Sequence, residues 1–141
     1  MNVKIFEYRT ILACSIDEAW SFFSTPSNIK FITKFPPIVD VSESRQGDLA
    51  IHFGYSFYSY EWHATLKNNP ECYSFTDIAV KPPYPFTFWR HDHRFETFQS
   101  RTVMVDTMTV ESKWPSMFLR FFFNRMFRSR EKQMKKIQLA Y

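Results

Sequence analysis

Apolar and polar side chains alternate along most of the chain between residues 38 and 110. This period is typical of β-strands, because successive side chains of a strand point to opposite faces. A further segment near the start is rich in β-branched and aromatic residues, which favour strands. The pattern predicts strands over residues 3–13, 38–42, 49–54, 57–67 and 72–79 and in two parts of 82–110.

Two short helices are predicted between the first two strands. Ser15 is a good N-cap, and Glu18 three residues later completes a capping box ahead of a short amphipathic helix. Thr25 can cap a second helix whose first turn holds Pro26, since proline is tolerated at the first helical position. The Phe-Pro-Pro sequence at 35–37 ends that helix.

The last segment has a helical period again. No glycine or proline follows Pro115, so a helix of roughly 40 Å is predicted from there to the last residue. Its first half is apolar on nearly every side and its second half is basic. Residues 113–141 carry 8 Lys or Arg against Glu131 alone, whereas residues 1–112 carry 10 against 13 acidic residues. The body is therefore mildly acidic, which argues against a nucleic-acid-binding face on the sheet.

This order of elements predicts an α+β fold. Consecutive strands joined by short turns make an antiparallel sheet, and the helices then lie on one face of it. At 141 residues the chain is expected to be one domain, residues 1–141. No internal repeat, low-complexity tract or linker interrupts it.

Composition narrows the function classes. Aromatic residues make up 20% of the chain, with 17 Phe, which indicates either an aromatic core or a cavity lined by rings. Only two glycines are present, which excludes glycine-rich phosphate loops. Two cysteines offer no disulfide framework and no metal spacing. With no leader and no apolar run of about 18–20 residues, a cytoplasmic protein is expected.

The segment 82–110 concentrates ionisable side chains on an inward face. In its first strand, charged residues alternate with aromatic and imidazole ones, so the charged face of the strand is expected to face solvent. The inward set is Trp89, His91, His93 and Phe95. In the second strand one register brings together Thr102, Met104, Asp106 and Met108. That register sends a carboxylate to the same interior as the two imidazoles.

Three interpretations of His91, His93 and Asp106 remain open. A histidine oriented by a carboxylate titrates near neutral pH and could move protons in catalysis. With Asp77 the same groups could bind a metal ion, but the sequence spacing gives no closed ligand set, so no metal is assigned. The third interpretation is hydrogen bonding within the core, since an unpaired buried polar group costs about 1–3 kcal/mol. That role is compatible with contact to a ligand.

Aromatic side chains on a neighbouring strand face the same interior. In the strand predicted over 57–67, Tyr58, Tyr60 and Trp62 share the inward face. Together with Trp89 and Phe95 they form either the walls of a cavity or a filled core.

Four groups of residues carry a family resemblance that covers the whole chain. The first is the opening stretch FEYRTILACSIDEAWSFFSTPSNIKFITKFPP. The second is Trp62, Asp77, Pro83-Tyr84, Trp89, His91, His93 and Phe95. The third is Thr102, Met104 and Asp106, and the last helix adds Phe127-Arg128-Ser129-Arg130. Together they resemble the SRPBCC (START-like, helix-grip) superfamily, most specifically its bacterial branch of ligand-binding or polyketide cyclase/dehydrase-like proteins.

The resemblance implies a helix-grip fold, in which a curved antiparallel sheet of about seven strands wraps around a long C-terminal helix and encloses a hydrophobic cavity. It implies binding of a small hydrophobic molecule or lipid, and no cofactor is expected. The expected ligand-binding residues are Tyr58, Tyr60, Trp62, Asp77, Trp89, His91, His93, Phe95, Met104, Asp106, Phe118 and Phe122. The alternative is an aromatase/cyclase- or dehydratase-type enzyme that uses His91 or His93 with Asp106.

The C-terminal helix leaves three interpretations open. Its apolar stripe can close the sheet while its basic residues lie in solvent. A basic amphipathic helix with phenylalanines also suits an anionic lipid surface, which would make the protein a lipid-handling one. The surplus phenylalanines among residues 117–127 could instead form a homodimer patch.

Overall fold

The computed structural model describes residues 2–34, 37–46, 48–55 and 58–141, without the side chains at 55 and 58–60. The strands within these residues are β1 (Val3–Leu12), β2 (Ile38–Glu43), β3 (Asp48–Tyr55), β4 (Tyr58–Asn69), β5 (Ser74–Ala79), β6 (Phe86–Phe98) and β7 (Arg101–Ser112). They form one antiparallel sheet in the order β1-β7-β6-β5-β4-β3-β2.

Helices lie after the first strand, in the turn between β4 and β5, and at the end of the chain. They are α1 (Ile16–Phe23), the 3-10 helices Pro26–Phe31 and Pro70–Cys72, and α2 (Ser116–Lys136). The predicted order of one strand, two short helices, six strands and one long helix is confirmed, and with it the α+β helix-grip architecture. No helix among the described residues is long and apolar enough to cross a membrane.

The two short helices start differently. The Ser15 hydroxyl accepts a hydrogen bond from the backbone N–H of Glu18 at 3.2 Å, so the predicted cap of α1 is confirmed. Thr25 does not cap the next helix, because its hydroxyl donates instead to the carbonyl of Ser21 at 3.0 Å. The segment from Pro26 is a 3-10 helix that has no side-chain cap. The predicted stop at 35–37 falls partly outside the described residues.

Helix α2 is shorter than the sequence predicts. It ends at Lys136 and is about 30 Å long at 1.5 Å per residue. Gln138 has a φ of 64°, which turns the chain out of the helix. The backbone N–H of Ala13 then donates to the carbonyl of Leu139 at 2.7 Å, so the last residues pair with the end of β1. The tertiary pairing ends the helix where no sequence breaker is present.

One residue stripe of α2 packs on the sheet. The buried positions are Leu119, Phe123, Met126, Phe127, Arg130 and Met134. Their spacing of three and four residues is that of one helix face. Two apolar clusters result. One joins the first half of α2 to the central strands, and the other joins α1 and the end of α2 to β5, β6 and β7.

Strand β7, which lies next to the edge strand β1, has buried residues on both faces. Its inward residues Thr102, Met104, Asp106 and Met108 are buried, which confirms the predicted register. Val105 on the opposite face is also fully buried. The cross-strand neighbours of Val105 explain its burial. They are Arg9 on β1 and Arg94 on β6, and both form an ion pair with Glu96. The side chains of both arginines are about half exposed, and a long arginine side chain can cover an apolar neighbour with its stem while its charged end stays in water.

Candidate functional site

A largely apolar cavity of about 520 Å³ lies between the sheet and α2. Its walls among the described residues include Ile32, Leu49, Ile51, Phe75 and Met126. The volume falls in the range of about 300–1,000 Å³ that is usual for small-molecule sites. The aromatic content of the chain therefore serves both a core and a cavity.

Most of the predicted ligand-binding residues meet at this cavity. Those that line it are Trp62, Asp77, Trp89, His91, His93, Met104 and Phe122. Phe95 and Asp106 are buried but lie outside the cavity lining. The side chains of Tyr58 and Tyr60 lie outside the described residues. Contact with a ligand stays a prediction for all of them.

Phe118 is the predicted site residue that the structure places elsewhere. Its ring is 56% exposed and does not line the cavity. At 3.6 residues per turn, Phe118 lies on the opposite side of α2 from the stripe that contains Phe123 and Phe127. Phe122 lies at the edge of that stripe and reaches the cavity. The apolar run 117–127 did not reveal which phenylalanines face inward.

Four ionisable side chains meet at one wall of the cavity. His91 Nε2 lies 2.8 Å from Asp106 Oδ1, and His93 Nε2 lies 3.1 Å from Asp77 Oδ2. His93 Nδ1 is also 3.1 Å from Asp106 Oδ1, but without the alignment of a hydrogen bond. His91 Nδ1 is 3.9 Å from Asp77 Oδ2, which is too long for one. The histidines and carboxylates thus form a crossed pair of hydrogen bonds.

Sheet register explains the crossed arrangement. Asp77 on β5 is directly opposite His91, and Asp106 on β7 is directly opposite His93. The hydrogen bonds run along the diagonals, where long side chains reach each other across neighbouring strands. Phe75 stacks on His93 with ring centroids 4.1 Å apart, and this stacking fixes the plane of the imidazole.

A fifth charge, Arg130, enters the same cavity from α2. Its side chain is buried, and its Nε has no hydrogen-bond partner among the described residues. The guanidinium carbon lies 5.9 Å from the ring of Phe127. Burial lowers the pKa of Arg130, and the negative charges of Asp106 and Asp77 oppose that shift. Arginine remains cationic in proteins even so.

The surroundings shift the pKa values of the two histidines in opposite directions. Burial, with the neighbouring charge of His93, lowers the pKa of His91. Burial alone would also lower the pKa of His93, but its contacts with Asp106 and Asp77 raise that pKa above its ordinary value. Burial favours the neutral form of both carboxyls, yet the histidine contacts lower the pKa of Asp106 and of Asp77.

These shifts favour a balanced set of charges in the cluster. Two carboxylates would face two cations, the imidazolium of His93 and the guanidinium of Arg130, with His91 neutral. In that state His91 Nε2 donates its hydrogen to Asp106 and Nδ1 keeps a lone pair. Buried charges are tolerated only when compensated, and this balance supplies the compensation.

A metal ion is a poorer match to this cluster. Asp77, His91 and His93 do place an oxygen and two nitrogens within 4.8 Å of one another. A cation there would need both imidazoles neutral, and it would face the buried charge of Arg130. The buried positive charge of Arg130 favours the binding of an anion at this cavity instead.

Sequence reasoning missed Arg130 and Thr33. Arg130 lies in the buried stripe of α2, three residues after Phe127 and four before Met134, so its helical phase was a usable signal. Thr33 follows the 3-10 helix and is buried at the cavity wall with its hydroxyl unpaired among the described residues. No periodicity covers Thr33, and only the tertiary packing places it.

Comparison with known proteins adds the fold relationship. No protein-family model matches the sequence, and no curated protein matches it. The structure is similar to that of the Zhui aromatase/cyclase from Streptomyces sp. R1128, with a TM-score of 0.70 at 14% identity over 94% of this chain and 88% of that one. The chain has the START-like helix-grip fold.

Two further solved structures extend the range of this fold. A START superfamily protein from Mycobacterium smegmatis has a TM-score of 0.75 at 12% identity, covering 95% of this chain and 96% of that one. The major latex-like protein 151 of Panax ginseng has a TM-score of 0.75 at 14% identity, covering 98% and 99%. At such identities the likeness shows the START-like fold and leaves the function to the site.

Proposed function

We propose that the protein binds a small hydrophobic molecule in the cavity between the sheet and α2. The observation that carries the proposal is the continuous cavity of about 520 Å³, apolar over most of its wall. Ionisable groups occupy one part of that wall, which suits a molecule with an apolar body and one polar end. An aromatase/cyclase and a START superfamily protein share this fold.

Calorimetric titration with 1-decanol tests the proposal, because this ligand has an apolar chain and no charge. Saturable binding is expected. Trp62 and Trp89 line the cavity, so their fluorescence should change with the same saturation curve. Ile51→Phe fills part of the cavity and should weaken binding at least tenfold. Ile5→Phe on the exposed outer face is the matched control and should leave binding unchanged.

Native mass spectrometry of protein purified without added ligand gives a second test. A bound small molecule, absent from the Ile51→Phe variant, supports the proposal. The absence of both a co-purified molecule and saturable decanol binding would contradict it.

A catalytic role is the second candidate, favoured by the pairing of a neutral and a charged histidine at the cavity. His91 keeps a lone pair at Nδ1 and could act as a general base, while the imidazolium of His93 could act as a general acid. Such a pair suits dehydration. The base takes a proton from the carbon next to a carbonyl, the C–O bond breaks, and the leaving hydroxyl takes a proton and departs as water.

An aromatic β-hydroxy ketone is a direct probe of this chemistry, since its dehydration product absorbs in the ultraviolet. The wild type should form the conjugated product, and His91→Gln should lower the rate about 10²-fold or more. His63→Gln, an exposed histidine on β4, is the control. Equal rates for wild type and His91→Gln would remove the catalytic candidate.

A third candidate is association with an anionic lipid surface. It is favoured by exposed apolar side chains at the start of α2, where Met117, Phe118 and Phe121 are 73%, 56% and 67% exposed. Arg120 lies among them and is also exposed. Apolar rings with an interspersed cation suit the interface of an anionic membrane.

A further inference from the structure

We infer that the cavity selects apolar molecules that carry a carboxylate, and that Arg130 and Thr33 bind this carboxylate inside the cavity. This inference rests on the proposed ligand-binding function and specifies the chemistry of the ligand.

Among the described residues, three buried polar atoms of cavity-lining side chains have no hydrogen-bond partner: Arg130 Nε, Thr33 Oγ1 and His93 Nδ1. Arg130 Nε and Thr33 Oγ1 make no hydrogen bond with any described residue, and the two side chains belong to residues only 8% and 6% exposed. Both residues line the same cavity. Leaving a buried donor unpaired is costly, so such groups in a native protein call for a partner. Both side chains belong to the wall that a bound molecule would contact.

The partner that fits best is an anion. The guanidinium is a permanent cation whose hydrogens all donate, and it binds carboxylates with charge-assisted hydrogen bonds. Among the described residues, no carboxylate oxygen lies within 4.0 Å of the Arg130 guanidinium, so Asp77 and Asp106 balance its charge without occupying its donors. The remaining wall is mostly apolar, which requires an apolar body on the same molecule.

Binding an anion changes the charge balance of the cluster. Before binding, Asp77 on β5 and Asp106 on β7 are balanced by His93 on β6 and Arg130 on α2. One more carboxylate leaves a net negative charge beside His91, which is neutral and can take up a proton. Carboxylate binding should therefore be accompanied by proton uptake and should tighten as the pH falls.

Calorimetry tests the inference, with decanoate below its micelle-forming concentration and 1-decanol below its solubility limit. The two ligands share one chain and differ in the carboxylate. The wild type should bind decanoate about tenfold or more tightly than decanol. Decanoate affinity should rise by up to about tenfold per unit fall in pH between about pH 8 and pH 6, while decanol affinity stays constant.

Arg130→Lys and Thr33→Val are the informative variants. Lysine keeps the positive charge of the cluster but lacks the Nε–H of arginine, and valine has the shape of threonine without its hydroxyl. Each should reduce the decanoate preference at least threefold and leave decanol binding unchanged. Arg128→Lys, an exposed arginine on the same helix, is the matched control and should change neither.

The outcomes separate this inference from the proposed function. If wild type and both variants bind the two ligands with equal affinity, the carboxylate site is refuted and the hydrophobic cavity stands. If Arg128→Lys lowers decanoate affinity as much as Arg130→Lys, the effect is not specific to the buried guanidinium and the inference is again refuted. If neither ligand binds to the wild type, the proposed function fails with it. Should Arg130→Lys unfold, Thr33→Val and the pH dependence decide.

Discussion

His91 and His93 are two residues apart on one strand, yet their surroundings drive their protonation in opposite directions. His93 lies beside two carboxylates, which raise its pKa despite burial, whereas burial and the charge of His93 lower the pKa of His91. At about pH 7 the ¹⁵N spectrum of the histidine rings should therefore contain one buried imidazolium and one buried neutral imidazole. His91→Gln assigns the signals. Two neutral buried rings would contradict the balanced charges of the cluster.

The raised pKa of His93 also predicts how stability depends on pH. Since the folded pKa exceeds the unfolded value, the stabilisation from His93 is complete below about pH 6.5 and is lost as the pH rises through the folded pKa. His91 acts oppositely, because its lowered pKa weakens the folded state as the pH falls below about 6.5. Measurements above that pH thus isolate His93.

Urea unfolding of wild type and His93→Gln from about pH 6.5 to pH 9 measures this effect. The difference in free energy of unfolding between them should shrink as the pH rises. The exposed His63→Gln serves as control and should change the stability little at any pH. A difference that is constant or grows with pH would contradict the raised pKa.

The residues of the crossed pair were accessible to sequence reasoning because a strand has a fixed period. Alternation alone sent His91, His93 and Asp106 to one interior. It could not give the partners, since His91 binds Asp106 along a diagonal that depends on the register between strands. Arg130 entered the sequence analysis only through the family resemblance of the last helix and was not predicted as a site residue, although its helical phase places it in the buried stripe.

At the level of elements, the β6–β7 turn carries backbone strain. Gln99 and Ser100 have φ angles of 49° and 64°, and two successive positive values are the signature of a type I′ hairpin turn. Asparagine and glycine suit these positions, whereas other residues pay a penalty there that is of order 1 kcal/mol.

Ser100→Gly should therefore stabilise the protein by about 1 kcal/mol, measured as the free energy of unfolding in urea. Asn69→Gly is the control, because Asn69 ends a strand with a φ of −128° that needs no glycine. This control should be neutral or destabilising. Equal effects of the two substitutions would show that strain in the turn is not responsible.

Element boundaries were predictable where a local signal sets them. The cap at Ser15 is such a signal, and α1 begins beside it. The end of α2 has none, because the helix stops at Lys136 when the following backbone pairs with β1. A contact between residues about 125 positions apart is invisible to a local pattern.

At the level of the whole molecule, the sequence pattern predicts the fold better than it predicts the cavity. The order of helices and strands follows from the local periodicity of apolar residues along the chain. The predicted order agrees with the structure. The size of the cavity depends on how the helix and the sheet are spaced, which no local period encodes. Within the apolar run 117–127, Phe122 lines the cavity, Phe123 is buried in the core and Phe118 is exposed on the surface.

The apolar side chains at the start of α2 are exposed, and a second copy of the chain or a membrane could cover them. A symmetric homodimer would place the same patch of both copies together and enclose two copies of Arg120 in one interface. An anionic membrane accepts both the exposed rings and that cation, so charge favours the membrane over the dimer. The protein should therefore bind vesicles that contain phosphatidylserine, and less so as salt rises.

Vesicle sedimentation measures this binding. Phe121→Ser and Arg120→Glu should each reduce it about tenfold or more, because one removes an inserted ring and the other reverses a charge near the surface. Lys67→Glu, an exposed charge reversal on β4, is the matched control. Vesicles of phosphatidylcholine alone should bind weakly. Concentration-dependent dimers that Phe121→Ser abolishes, with no vesicle binding at low salt, would instead assign the patch to a second copy of the chain.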